Sequence, residues 1–141
     1  MVKVNEIMTT DVITAAMDDT LGSIKKTFES HHIHHVLIIK GKRLVGIVSD
    51  RDVLRYASPY LDTRGEDNRA LNTLKKLAHQ IMTRDVVTID PDDTIEEAAE
   101  AMLKHRVSCI PVQALFGEIV GVVTKTDLLK SLIEQKQAAS V

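Results

Sequence analysis

The chain has 141 residues, of which 44% are hydrophobic and 27% charged, and a formal net charge of -2. That length suits one body with a core of its own, and the near-neutral balance excludes general affinity for nucleic acid or an anionic membrane, both of which need a concentrated basic face. The lone cysteine, Cys109, excludes an intrachain disulfide, tryptophan is absent, and no basic-then-apolar leader or long apolar span opens the sequence, so a soluble, cytoplasmic protein with an aliphatic core is expected.

The first predicted element is a short apolar strand over 12–14, followed by an Asp-rich turn. A helix comes next, in which Leu21, Ile24 and Phe28 fall at i, i+3 and i+7 and turn one stripe to a core; Thr20 stands where its cap belongs. Two apolar runs, 36–39 and 44–48, joined by the KGKR turn at 40–43, predict a hairpin, and a helix over 50–56 follows. Residues 57–77 carry Pro59, Gly65 and mixed charges, then a short helix marked by Leu71, Leu74 and Leu77, so a surface linker with one apolar edge is expected.

After the linker the sequence starts again. Residues 7–20, IMTTDVITAAMDDT, recur at 81–94 as IMTRDVVTIDPDDT, with nine of fourteen positions identical at an offset of 74. With one inserted residue, LVGIVSDRDVL at 44–54 continues the alignment onto IVGVVTKTDLL at 119–129. The second half repeats the elements: a strand over 86–89, a capping box of Thr94 and Glu97, and a helix with Ile95, Ala98 and Met102 on its core stripe. Strands over 110–112 and 119–123 flank a turn at Gly117, a helix spans 125–133, and the polar EQKQAASV tail is expected to fray.

Each half therefore reads as βαββα, an α/β (α+β) class. A three-stranded sheet with both helices on one face leaves its other face bare, so tandem repeats packed as a pseudo-twofold pair are expected. The boundaries are repeat 1 over 1–56, the linker over 57–77, repeat 2 over 78–133 and the polar tail over 134–141.

A duplicated βαββα unit that opens near IM, holds an IPV strand and closes each half with G-h-h-S/T-x-x-D (GIVSDRD at 46–52, GVVTKTD at 121–127) resembles the CBS domain pair, also called the Bateman module. The resemblance spans nearly the whole chain. SDRDVLRYASP and GVVTKTDLLKSL are most similar to the CBS half of the bacterial acetoin utilization protein family, although the ACT-type domain that often follows there has no room in this length. The resemblance implies a sensor whose paired halves form two clefts for AMP, ADP, ATP or a related adenosyl compound, and a disc-shaped homodimer.

The chemistry of the repeated motif can also be argued from its residues. Gly46 and Gly121 lead to the ends of buried strands, and Ser49 or Thr124 then opens a helix. A helix N-terminus suits phosphate, and an ionised carboxylate beside it accepts hydrogen bonds from two vicinal ribose hydroxyls, at ~1.5–3 kcal/mol each. Asp52 and Asp127 fit that task. The same spacing also reads as an N-cap hydroxyl with an acidic N3 residue, worth about 1 kcal/mol to helix initiation alone.

Carried over by position, the resemblance implies one cleft of Thr124, Lys125 and Asp127 with Thr14, Ala16, Ile33, His34 and His35, and another of Ser49, Arg51 and Asp52 with Thr88, Val107 and Cys109. The HHIHH run at 31–35 matches a family segment that often sets a His or Arg pair beside the phosphates; its counterpart ends in Ser108 and Cys109, so the Asp127 cleft ranks first. Imidazoles near their ordinary pKa of about 6.5 would gain charge beside a polyphosphate and make binding pH-sensitive. One departure is Leu37 where the family usually has proline, which Pro111 keeps.

Successive residues of HHIHH diverge as a helix end passes into a strand, so no metal is assigned. Cys109, flanked by Val107, Ile110 and Pro111, reads as a core residue rather than a nucleophile. The leading expectation is a regulatory module, not an enzyme, that needs no cofactor, takes an adenine nucleotide as ligand and reports it by a conformational change between its repeats to a protein partner the sequence does not name. A homodimerisation module with purely structural aspartates is the alternative. A nucleotide-hydrolysing or transferring enzyme would want paired acidic metal ligands and a positioned base, neither of which the sequence offers.

Overall fold

The structure is a computed structural model and describes residues 1–139. In chain order it forms α1 (Val4–Ile7), β1 (Thr14–Ala16), α2 (Leu21–His31), β2 (His35–Lys40), β3 (Arg43–Ser49) and α3 (Asp50–Tyr56). There follow α4 (Asn68–Asn72), a 3-10 turn at Thr73–Lys75, α5 (Ala78–Ile81), α6 (Ile95–His105), β4 (Cys109–Gln113), β5 (Ile119–Thr124) and α7 (Lys125–Ala139).

Helices α2 and α6 start where the threonines predict. Thr20 and Thr94 hold extended backbone, and their hydroxyls accept N–H bonds from Ser23 at 3.1 Å and Glu97 at 3.2 Å. Both helices also stop alike, at residues in left-handed backbone, His32 (φ 53°) and Arg106 (φ 55°), which turn the chain into β2 and β4.

Residues Ile13–Asp85 make one unit; Met1–Val12 and residues 86–139 make the other. In the first, β1 runs parallel to β2 and β2 antiparallel to β3. The predicted stripe of α2 buries Leu21 and Ile24 against Val36, Ile38, Val48 and Val53, with Ala78, Ile81 and Met82 completing the core and Phe28 packed on it. In the second, Ala98 and Met102 of α6 meet Ile110, Val112 and Val123 of the β4–β5 hairpin, Ile89, and Val4 of α1.

The leader of each repeat thus packs with the body of the other. Thr9 exchanges both main-chain hydrogen bonds with Val122 (2.8 and 2.9 Å), and Thr83 does the same with Ile47 (2.9 and 3.0 Å). The preceding methionines explain the motif glycines. A Cβ on Gly121 would stand 2.8 Å from both Met8 Sδ and the Thr9 carbonyl oxygen, and one on Gly46 would collide with the Met82 side chain. Only a residue without a side chain lets the leader lie on the strand. Each hairpin also slips register just before its glycine, between Ile38 and Ile39 in one and between Val112 and Gln113 in the other.

Three elements differ from expectation. The strand expected over 12–14 lies two residues later, at Thr14–Ala16. The strand expected over 86–89 contracts to a single parallel bridge, Ile89 to Val112. Proline is the reason: the Leu37 N–H bonds the Ile13 carbonyl at 3.2 Å, and Pro111, its counterpart, has no N–H to give Val87. Finally, α7 continues past Ile133 through Glu134–Ala139, where the polar tail was expected to fray; residues 140 and 141 lie outside those described. Glu, Gln, Lys and Ala are good helix formers, and no Gly or Pro interrupts them.

Candidate functional site

Each hairpin delivers its second strand to a helix through the same short device. At the end of β3, Ser49 N–H and Oγ–H donate to Asp52 Oδ2 at 2.8 and 3.1 Å, while Asp52 N–H donates to Ser49 Oγ at 3.2 Å. At the end of β5, Thr124 N–H donates to Asp127 Oδ2 at 2.9 Å and Asp127 N–H to Thr124 Oγ1 at 3.2 Å. Both carboxylates therefore complete capping boxes and stay half-exposed. The first residue of each helix is tied in the same way, Asp50 N–H to the His34 carbonyl and Lys125 N–H to the Ser108 carbonyl, both at 3.0 Å.

Asp127 has a further donor. Thr9 Oγ–H lies 3.3 Å from both carboxylate oxygens. Beside it, Glu6, Ile7, Asp127, Lys130, Ser131 and Glu134 line an open polar cavity of about 190 Å³. That is below the 300–1,000 Å³ of typical small-molecule pockets, so this cavity alone does not house a nucleoside.

Two of the other expected site residues lie across from the cap hydroxyls. His35 pairs with Ser49 across the β2–β3 hairpin, and Cys109 with Thr124 across the β4–β5 hairpin. Thr14 and Ala16 lie on β1, parallel to Leu37 and Ile39, and Ile33, His34 and Arg51 belong to the same unit as Asp52. Thr88 and Val107 belong to the same unit as Asp127 and Lys125. The residues that the sequence assigns to each cleft are divided between the two units in chain position.

The histidine run is divided among different tasks. His31 Nδ1 lies 3.2 Å from the Thr27 carbonyl in the last turn of α2, His32 ends that helix, and His34 Nδ1 meets Asp50 Oδ2 at 2.8 Å. Among the described residues, no group of three or more His, Cys, Asp or Glu is placed to hold a metal ion.

Burial pushes the His35 pKa below its ordinary 6.5; Asp50 and Asp52 pull it up, and His34 and Arg51 add to the lowering. His35 is accordingly a neutral imidazole at pH 7. Its contribution to stability is complete above pH 6.5 and is lost as pH falls below 6.5 toward the folded-state pKa, because the unfolded chain takes up the proton first. Melting temperatures followed from about pH 7.5 to about pH 5 should fall more steeply for the wild type than for His35→Gln; parallel curves would remove this role.

The Cys109 thiol is pushed up to about 12 by burial, with the charge of Asp127 adding to the effect. It is a thiol, not a thiolate, at neutral pH, which fits its core position in β4. Iodoacetamide should modify it far more slowly in the native protein than in urea, as read by intact-mass spectrometry.

The family model for the CBS domain matches residues 4–59 and 78–134. The chain belongs to the CBS-domain family. A CBS domain-containing protein of Dictyostelium discoideum is 33% identical over 135 residues, covering 94% of this chain and 92% of that protein. An inosine-5′-monophosphate dehydrogenase of Korarchaeum cryptofilum is 32% identical over 118 residues, which are 84% of this chain but only 22% of the dehydrogenase. Among solved structures, one described as an acetoin utilization protein from Vibrio cholerae has a TM-score of 0.81 at 29% identity, covering 99% of this chain and 96% of its own. The CBS domain pair of protein MJ0100, in complex with 5′-methylthioadenosine and S-adenosyl-L-methionine, has a TM-score of 0.77 at 28% identity, with 96% and 98% covered. Tandem CBS repeats of βαββα form, similar to an acetoin utilization protein as the motifs suggest, are thereby established.

Two neighbours of the CBS motif carboxylates are not readable as such from the sequence. Thr9 is visible there only as one of the positions that recur, at Thr83. Asp50 precedes the motif aspartate by two residues, and nothing in that spacing points to His34.

Proposed function

We propose that the chain is a regulatory module that binds an adenosine-type ligand, AMP, ADP, ATP or a related adenosyl compound, and catalyses no reaction. The observation that carries this reading is the duplicated carboxylate. Asp52 and Asp127 are each fixed at the first turn of a helix, half-exposed, and bonded so that an oxygen still has capacity for a vicinal diol. Lys125 and Arg51, both exposed at those same helix starts, are the cations on offer to phosphate. His34 and His35 stand by the Asp52 cap, His35 as a hydrogen-bonding rather than a charged group. The complex of the MJ0100 domain pair with two adenosyl compounds supports the ligand class.

The signal is a population shift between two forms of the module that differ in affinity for the ligand. The exposed Leu129, Leu132 and Ile133 on α7 favour a homodimer. Among the described residues no helix is long and apolar enough to cross a membrane, in keeping with a soluble, cytoplasmic protein.

A second reading has an observation of its own. Both aspartates complete capping boxes, which is all that a structural homodimerisation module would ask of them. Isothermal titration with AMP, ADP, ATP and S-adenosylmethionine separates the two. Saturable binding by one of them supports the sensor; no heat and no thermal stabilisation at millimolar ligand leaves the structural module.

A further inference from the structure

We infer that Thr9 is a positioning residue for Asp127, and that the N-terminal leader makes the two ribose sites unequal. This rests on the reading that Asp127 receives the ligand. The main chain of Thr9 is fixed at both its N–H and its carbonyl by Val122. Gly121 lets Met8 and Thr9 approach the strand closely enough for this, since a Cβ there would meet both. From that fixed backbone the hydroxyl stands 3.3 Å from Oδ1 and 3.3 Å from Oδ2 of Asp127, so it bisects the carboxylate. Thr124 N–H holds Oδ2 alone, at 2.9 Å.

One donor on one oxygen leaves the carboxylate free to swing about its Cβ–Cγ bond, a broad torsion in any aspartate. A second donor shared by both oxygens removes that freedom. A vicinal diol needs two acceptor directions presented together, so the orientation of the carboxylate plane, and not only its charge, sets the affinity.

Among the described residues the other repeat shows no such hydroxyl bond. Thr83 has the same main-chain pairing, with Ile47, while Ser49 N–H and Oγ–H both donate to Oδ2 of Asp52. The orientation of Asp52 is held at one oxygen and that of Asp127 at both.

Isothermal titration of the full chain with AMP, ATP and S-adenosylmethionine tests this, using Thr9→Val, Thr9→Ser, Thr83→Val and the double variant Thr9→Val with Asp127→Asn. Loss of one hydrogen bond to a charged group corresponds, at the lower limit, to roughly 10-fold in affinity. Thr9→Val should weaken binding by about that factor, Thr9→Ser should restore it, Thr83→Val should bind as wild type, and Thr9→Val should add nothing once Asp127 is Asn. If Asp127→Asn loses binding while Thr9→Val retains it, the positioning role is wrong and the sensor reading stands. If the wild type binds none of the three compounds, or Asp127→Asn binds them all as tightly as wild type, the reading itself fails and the inference with it. A fall in melting temperature for Thr9→Val without a change in affinity marks a merely structural hydroxyl and also overturns the proposal.

Discussion

Asp127→Ala should weaken adenosyl-ligand binding by about 10²-fold or more while lowering the melting temperature by only a few degrees. The first figure follows from two charge-assisted bonds to a ribose diol at ~1.5–3 kcal/mol each, of which even the lower sum exceeds a hundredfold. The second follows from the capping box, where losing one reciprocal bond costs about 1 kcal/mol. Asp127→Asn separates the two. The amide oxygen still accepts the Thr124 N–H, so the helix start survives, but the charge is gone and affinity should still collapse. Calorimetric titration and melting of the same preparations provide the check; a large loss of stability with unchanged affinity would reassign the residue to helix initiation. Asp52→Ala should follow the same pattern with a smaller change in affinity.

The second large effect is expected on stability, at a motif glycine that carries no ligand-binding group of its own. Gly121→Ala places a methyl 2.8 Å from a backbone carbonyl oxygen, that of Thr9, and from Met8 Sδ. The carbonyl cannot rotate away, because Val122 holds it at 2.9 Å, so the leader must lift from the strand. Overpacking of this kind costs typically 1–3 kcal/mol, several degrees of melting temperature for a chain of this size. Gly46→Ala is the control. The three nearest atoms it meets belong to the side chain of Met82, whose thioether can turn aside, and the loss should be smaller. Thermal melts of the two variants showing equal losses would refute this account of the motif glycines.

The sequence reveals the elements better than their partners. Stripes such as Leu21–Ile24–Phe28, hydroxyls such as Thr20 and Thr94, and the repeat itself are local patterns, and the structure places helices and hairpins where they predict. The docking of the leaders is not local. IMT reads the same at 7–9 and 81–83, and nothing within three residues says which glycine each methionine covers. Pro111 is conspicuous in the sequence, yet its effect on the first strand of the repeat appears only once Leu37 is seen donating to Ile13. At the site, duplication singles out Asp52 and Asp127, whereas the Thr9 hydroxyl is 118 residues from the carboxylate it touches and has no periodic signal.

The exchange of leaders bears on what a proteolytic nick would do. A cut in the exposed segment between α3 and α4 leaves one fragment with Met1–Val12 and the bulk of the Ile13–Asp85 unit, and another with α5 and everything from Val86 onward. Neither piece then owns a whole core: Val4 belongs to one and its packing partners to the other, while Ala78 and Ile81 are divided from theirs in the opposite sense. The severed halves are mutually dependent, as the parts of a split reporter are, and would reassemble by complementation instead of drifting apart as two independent domains.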